Sequence, residues 1–125
     1  MQYGDTKPER DALRMDAGIY LYNVPEIDNY NDIDNLASLI NACDHIISVD
    51  NLTVHLAGGL GKETSVLLPF SSDWRWGENH KSSYWHSSLK LFRQERVSDW
   101  EAPLKKLELE LSNLTNTYNK DNTVK

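Results

Sequence analysis

A parallel sheet of four to five short strands, flanked by helices, is the α/β fold that the sequence predicts. Two observations lead there. Short apolar runs recur at 45–49, 64–68 and 89–93, the first rich in β-branched residues, with the length and character of buried strands. Between and around them lie segments whose apolar residues repeat at helical spacing. Strands separated by helices form parallel sheets with right-handed crossovers.

Each element follows in order. Gln2-Tyr3 reads as the end of a strand. Residues 7–17 (KPERDALRMDA) read as a helix, with Pro8 in its first turn, Glu9 at its positive end and Gly18 at its stop. Ile19-Tyr20-Leu21-Tyr22 reads as a short strand, and the Asn-, Asp- and Pro-rich stretch 23–31 as a loop. A helix over 33–43 is capped by Asp32 and carries Leu36, Leu39, Ile40 and Cys43 on one face. The run 45–49 is a strand, broken by Asp50-Asn51, and a helix over 52–60 begins at once and ends at Gly61-Lys62. Thr64–Leu68 is a strand closed by Pro69, and an aromatic, polar loop runs from Phe70 to Ser88. Leu89–Arg93 is the last strand. The last helix spans Trp100 to about Leu114, with Leu104, Leu107, Leu111 and Leu114 on one face. The expected organisation is one domain over 1–114 and a polar, frayed tail over 115–125.

Composition narrows the function classes. The chain has 125 residues, 39% apolar and 26% charged, as expected for one globular domain. Thirteen basic against nineteen acidic residues leave a net charge of −6. No basic face fit for nucleic acid is visible. No apolar stretch reaches the length of a membrane span, and no secretory signal is expected from the first residues. The single cysteine, Cys43, excludes an internal disulfide framework and a multi-cysteine zinc site. His45, His55, His80 and His86 lack metal-ligand spacing. Neither G-x-G-x-x-G nor a Walker-type loop is present, against dinucleotide dehydrogenases and P-loop NTPases.

Ligands of open parallel sheets sit beyond the carboxyl ends of the strands. Three segments fall on that edge. In the first, Ile47-Ser48-Val49-Asp50-Asn51-Leu52-Thr53-Val54-His55-Leu56-Ala57-Gly58-Gly59, a buried strand turns directly into a helix. Its free N–H groups and dipole suit an anion. Thr53 and His55 add side-chain donors, and Ala57, Gly58 and Gly59 allow the helix to approach the sheet closely. The same residues also serve a purely structural end, in which Asp50 or Asn51 caps the helix, Thr53 satisfies backbone and His55 packs. The second segment, Asp73-Trp74-Arg75-Trp76, offers rings to stack on a planar base and a guanidinium for a phosphate. Alternatively its tryptophans, with Tyr84, Trp85 and Trp100, cover one end of the sheet. In the third, Gln2-Tyr3-Gly4-Asp5, Gln2 offers a hydrogen bond and Gly4 a close approach, or an ordinary turn.

The block Cys43 to Lys62, with D-x-x-x-x-H-L-A-G over Asp50–Gly58, D-W-R-W over Asp73–Trp76 and L-F-R-Q over Leu91–Gln94, resembles the donor-binding C-terminal domain of heptosyltransferase-like glycosyltransferases (glycosyltransferase family nine), as found fused to tetratricopeptide repeats. The resemblance covers about residues 1–112 and includes Gln2-Tyr3-Gly4. It implies a Rossmann-like sheet forming one half of a GT-B fold. It implies a donor diphosphate and sugar cradled by Asp50, Asn51, Thr53 and His55, with Gln2, Gly4, Trp74 and Arg75 on the nucleotide side. It implies transfer without metal or cofactor, helix N-termini and Arg75 taking the leaving diphosphate's charge, and a cytoplasmic setting. The sequence departs from the family at Leu52, at Glu63 and over Gly77–Lys81. No residue is assigned as catalytic base, because the acceptor half of such a fold is absent from these residues. The expected partners are a nucleotide-sugar or nucleoside diphosphate, and a partner chain supplying the acceptor domain or a second copy. The alternative expectation is a stand-alone domain that has kept the fold as a protein-interaction or oligomerisation module.

Overall fold

A computed structural model describes residues 6–77 and 80–123. The chain divides into two compact units, residues 1–42 and 43–125. Gln2, Tyr3 and Gly4 lie outside the described residues.

The first unit holds two helices. Helix α1, Lys7–Ala17, has Pro in its first turn and ends on Gly18, whose φ of 65° lets its N–H reach the carbonyls of Arg14 and Leu13. It buries none of its residues. Helix α2, Ile33–Ala42, is capped as expected: Asp32 Oδ1 accepts from the Asn35 N–H at 3.0 Å. Leu36 and Ile40 are its buried positions. The expected strand Ile19–Tyr22 is not one. All four side chains are exposed, Tyr22 at 97%, and the Arg14 guanidinium lies over the Tyr20 ring instead. An apolar run this short makes a strand only where a neighbouring strand pairs with it.

The second unit is α/β. Its strands β1 (Ile46–Val49), β2 (Thr64–Leu68) and β3 (Leu89–Arg93) form a three-stranded parallel sheet in the order β1-β2-β3. Ile46 is in register with Thr64, and Thr64 with Leu89. Helix α3 (Leu52–Gly59) connects β1 to β2, and helix α4 (Glu101–Thr123) follows β3. Val54, Val66, Leu68, Trp76, Leu89 and Leu91 form the core. Helix α3 is short and uncharged at both ends, so burial of Val54 and Ala57 rather than capping charge holds it in place. Gly61, at φ 68°, turns the chain out of α3.

Two expectations change. The loop after β2 contains a 3₁₀ turn, Trp74–Trp76, and Ser82 makes an antiparallel bridge to Lys90 on β3. Helix α4 does not stop at Leu114 but runs unbroken through Thr123. Hydroxyls that made 115–123 look like a tail are absorbed within the helix: Thr115 and Thr117 each donate to the carbonyl four residues back at 2.9 Å. Among the described residues no helix is long and apolar enough to cross a membrane.

Candidate functional site at the carboxyl edge of the sheet

Strand β1 ends at Val49 and α3 begins at Leu52, so only Asp50 and Asn51 separate them. Asn51 is the cap. Its backbone is extended and its Oδ1 accepts from the Thr53 N–H at 3.0 Å, while its carbonyl accepts from the Val54 N–H at 3.2 Å. The Ser48 hydroxyl, 3.3 Å from the same Oδ1, steadies the cap from the strand side. The opening turn of α3 therefore presents fewer free donors than a bare helix start. Thr53 is 3% exposed, which places its side chain inside the fold and not at the mouth of the turn.

Asp50 and His55 do come together. Asp50 Oδ1 and His55 Nε2 are 3.8 Å apart, and both side chains are partly exposed. That separation is too long for a hydrogen bond and suits an ion pair once the imidazole is protonated. The other constraint on His55 is Trp76, whose ring is stacked on the imidazole with centroids 5.4 Å apart and planes 21° apart. Trp76 is 1% exposed, and its Nε1 has no hydrogen-bond partner among the described residues.

The two tryptophans of Asp73-Trp74-Arg75-Trp76 thus do different work. Trp76 is core, whereas Trp74 stands out of the surface at 74% exposure. Asp73 starts the 3₁₀ turn by accepting from the Arg75 N–H at 3.0 Å and pairs with the Arg75 guanidinium at 3.3 Å. The guanidinium carbon lies 5.6 Å from the centre of the Trp74 ring. Arg75 is therefore held in direction, with part of its charge already met by Asp73.

Two groups that sequence reasoning left unassigned hold this loop. Arg93, at the end of β3, donates to the Trp76 carbonyl at 3.1 Å, to the Gly77 carbonyl at 2.9 Å and to the Ser72 hydroxyl. Ser83 accepts from the N–H groups of Trp85 and His86, at 3.1 and 3.3 Å. The signal for Arg93 was its place in L-F-R-Q, directly at a strand's carboxyl end. For Ser83 no sequence signal exists, because its partners depend on the loop's path.

Helix α3 also packs differently from the expectation. Ala57 is fully buried, but Gly58 faces His86: a Cβ at Gly58 would meet that ring at 2.5 Å. Gly59 has open space around it. The close approach required of Gly58 is thus to the aromatic loop, and it brings His86 against the helix.

Leu52, His55, Trp74, Arg75, Trp85 and His86 consequently line one open groove of about 670 Å³ beside the start of α3. Its lining is mostly apolar ring and side-chain surface, includes a guanidinium and two imidazoles, and among the described residues contains no carboxylate. Such a groove can stack a flat ring and take an anion at its Arg75 side. Among the described residues no group of three or more His, Cys, Asp or Glu could hold a metal ion. Of the nucleotide-side residues expected from sequence, Trp74 and Arg75 line the groove, and Gln2 and Gly4 fall outside the described residues.

Comparison with known proteins adds one relative. The chain is 32% identical over 101 residues to Protein FlbA of Caulobacter vibrioides, a match covering 81% of this chain and 17% of FlbA. The chain thus spans 17% of the length of that curated relative. No family model matches the chain, and no solved structure matches it.

Proposed function

We propose that residues 43–125 are the donor-binding half of a glycosyltransferase of the heptosyltransferase-like, GT-B kind, binding a nucleotide-sugar or nucleoside diphosphate at the start of α3. The observation that carries this reading is the convergence at one strand end. A helix N-terminus, the Asp50–His55 pair and the Trp74–Arg75–Trp85 groove meet beside the carboxyl edge of a parallel sheet. In this reading the diphosphate lies at the Asn51–Leu52 turn, His55 donates to it, and the base stacks in the groove. Thr53, being buried, serves the diphosphate through the helix start and not through its hydroxyl. A fuller sheet of four to five strands and a cytoplasmic setting belong to the same proposal. So does a partner chain or further domain that carries the acceptor and the catalytic base. Helix N–H groups and Arg75, not a metal, then meet the leaving diphosphate's charge.

One observation favours a second reading, an interaction module. Leu104, Leu114 and Tyr118 on α4 are 48%, 41% and 62% exposed, an apolar stripe on the helix surface.

Thermal shift and calorimetry with UDP, GDP, ADP and CMP, on this chain and on the Asp50→Ala, His55→Ala double variant, separate the two. A ligand at ~100 times its dissociation constant adds about 2.7 kcal/mol of stability. The donor reading expects a shift with one nucleotide that the double variant loses. No shift with any nucleotide on a folded chain overturns it and leaves the interaction module.

A further inference from the structure

A second cavity, of about 890 Å³, lies beside β3 and α4, away from the start of α3. Its volume is in the range of small-ligand sites. Three features on its wall point to a ligand.

The first is charge. The chain as a whole is at −6, yet Lys81, Lys90, Arg93 and Lys106 line this cavity against two carboxylates, Glu95 and Glu110. The carboxylates are spoken for: Glu110 pairs with Lys90, and Glu95 with Lys106. Arg93 spends its hydrogen bonds on a hydroxyl and two carbonyls, which are neutral, so its charge is not cancelled. Lys81 has no ion-pair partner among the described residues. Among the described residues, no carboxylate meets the charges of Lys81 and Arg93.

The second is an oriented amide donor. Gln94 is 5% exposed and lines the cavity. Its Oε1 accepts from the Phe70 N–H at 3.0 Å, which fixes the orientation of the amide. Its Nε2 has no partner among the described residues. The donor is thereby held in one direction and left open to a ligand. The third is apolar surface from Phe70 and Phe92, which also line the cavity.

We propose that this cavity is a second binding site, for a small organic anion: a flat apolar body carrying a phosphate or carboxylate group. The apolar body lies against Phe70 and Phe92. The anionic group faces Lys81, and one of its oxygens accepts from Gln94 Nε2. The site stands on residues after β2, on β3 and on α4, and shares no lining residue with the groove at α3. It therefore holds or fails independently of the donor reading.

Nitrogen-15 spectra of the full chain, titrated with phenyl phosphate, benzoate, inorganic phosphate and phenol, test it. Phenyl phosphate or benzoate is expected to move the Gln94 side-chain amide and the Phe70 and Lys81 N–H signals. The better of the two binds roughly tenfold tighter than phosphate or phenol, because burial of the ring adds to the charge term. Which of them binds tighter tells a phosphate site from a carboxylate site. Lys81→Ala, at an exposed position, weakens it about fivefold. Gln94→Glu keeps the acceptor for Phe70, replaces the donor by a negative charge, and abolishes it. Four results overturn the proposal: no movement of the Gln94 amide, equal binding of inorganic phosphate, equal binding of phenol, or an affinity that Lys81→Ala leaves unchanged. If Gln94→Glu fails to fold, the Lys81→Ala and probe comparisons still decide.

Discussion

Helix α1 buries none of its eleven residues, whereas α3 buries four of its eight. The first is held by local terms: Pro in the first turn, Glu9 at the positive end, Lys7 paired with Asp11 at 2.6 Å, and a left-handed glycine stop. The second has no charged residue in either end turn and depends on what lies beneath it. Its buried face rests on the sheet, and its Gly58 receives His86 from the aromatic loop. A helix fixed by tertiary packing positions its N-terminus accurately, and the candidate site is built on that one. A helix fixed by local terms alone tolerates change and positions nothing.

The contrast is broken most forcefully at Trp76. Trp76→Ala removes the largest core side chain, and a loss of about 3–5 kcal/mol in chemical denaturation is expected. Among the described residues Nε1 has no hydrogen bond to lose, so the cost is one of packing. A loss under ~1 kcal/mol would mean that the stack on His55 is superficial. Gly58→Ala comes next. Its Cβ cannot coexist with the present His86 ring, and about 1–3 kcal/mol should be lost, most of which His86→Ala in the same chain restores. Additive losses in that pair would remove the close approach from the account.

The caps sharpen the comparison at smaller scale. Asn51 accepts a hydrogen bond from the helix it starts, whereas the Thr6 side chain makes no cap bond to α1. Asn51→Ala is expected to cost about 1 kcal/mol and Thr6→Ala about half of that or less. Equal costs would show that the α3 cap is not special. The smallest effect is one of pH. Burial holds the His45 imidazole below its ordinary pKa, with Lys90 acting the same way and Glu63 and Glu110 opposing. Below about pH 6.5, the ordinary histidine value, the unfolded chain binds a proton there that the folded chain resists. Stability therefore falls as pH falls through the folded value. Denaturation midpoints between pH 7.5 and 5.5, roughly bracketing that range, should drop in this chain and drop less in His45→Gln.

Much of this was legible in the sequence, for identifiable reasons. Strands β2 and β3 and helices α1 and α3 sit where the pattern puts them, because apolar period and turn residues agree there. The failures share a cause. Ile19–Tyr22 has strand composition, but composition cannot supply a pairing neighbour. Residues 115–123 look polar and loose, but their hydroxyls bond within the helix. Asp73-Trp74-Arg75-Trp76 shows two tryptophans and not which is buried. The 3₁₀ turn, anchored by Arg93 from another element, decides that. Thr53 was expected at the mouth of the site, yet the helix phase turns it inward. Gln94, central to the second cavity, carried no signal beyond its place in L-F-R-Q, because its meaning comes from the Phe70 N–H across the sheet edge.

The central claim is that the start of α3 and the adjoining groove bind a nucleoside diphosphate. Mapping ADP and UDP onto assigned nitrogen-15 spectra tests it most directly. The account predicts that one of them moves the N–H signals of residues 51–55 together with the indole signals of Trp74 and Trp85. It also predicts that Asp50→Ala, His55→Ala removes the movement while the rest of the spectrum stays in place. A nucleotide that binds while leaving residues 51–55 unmoved, or one whose binding survives the double variant, would contradict it.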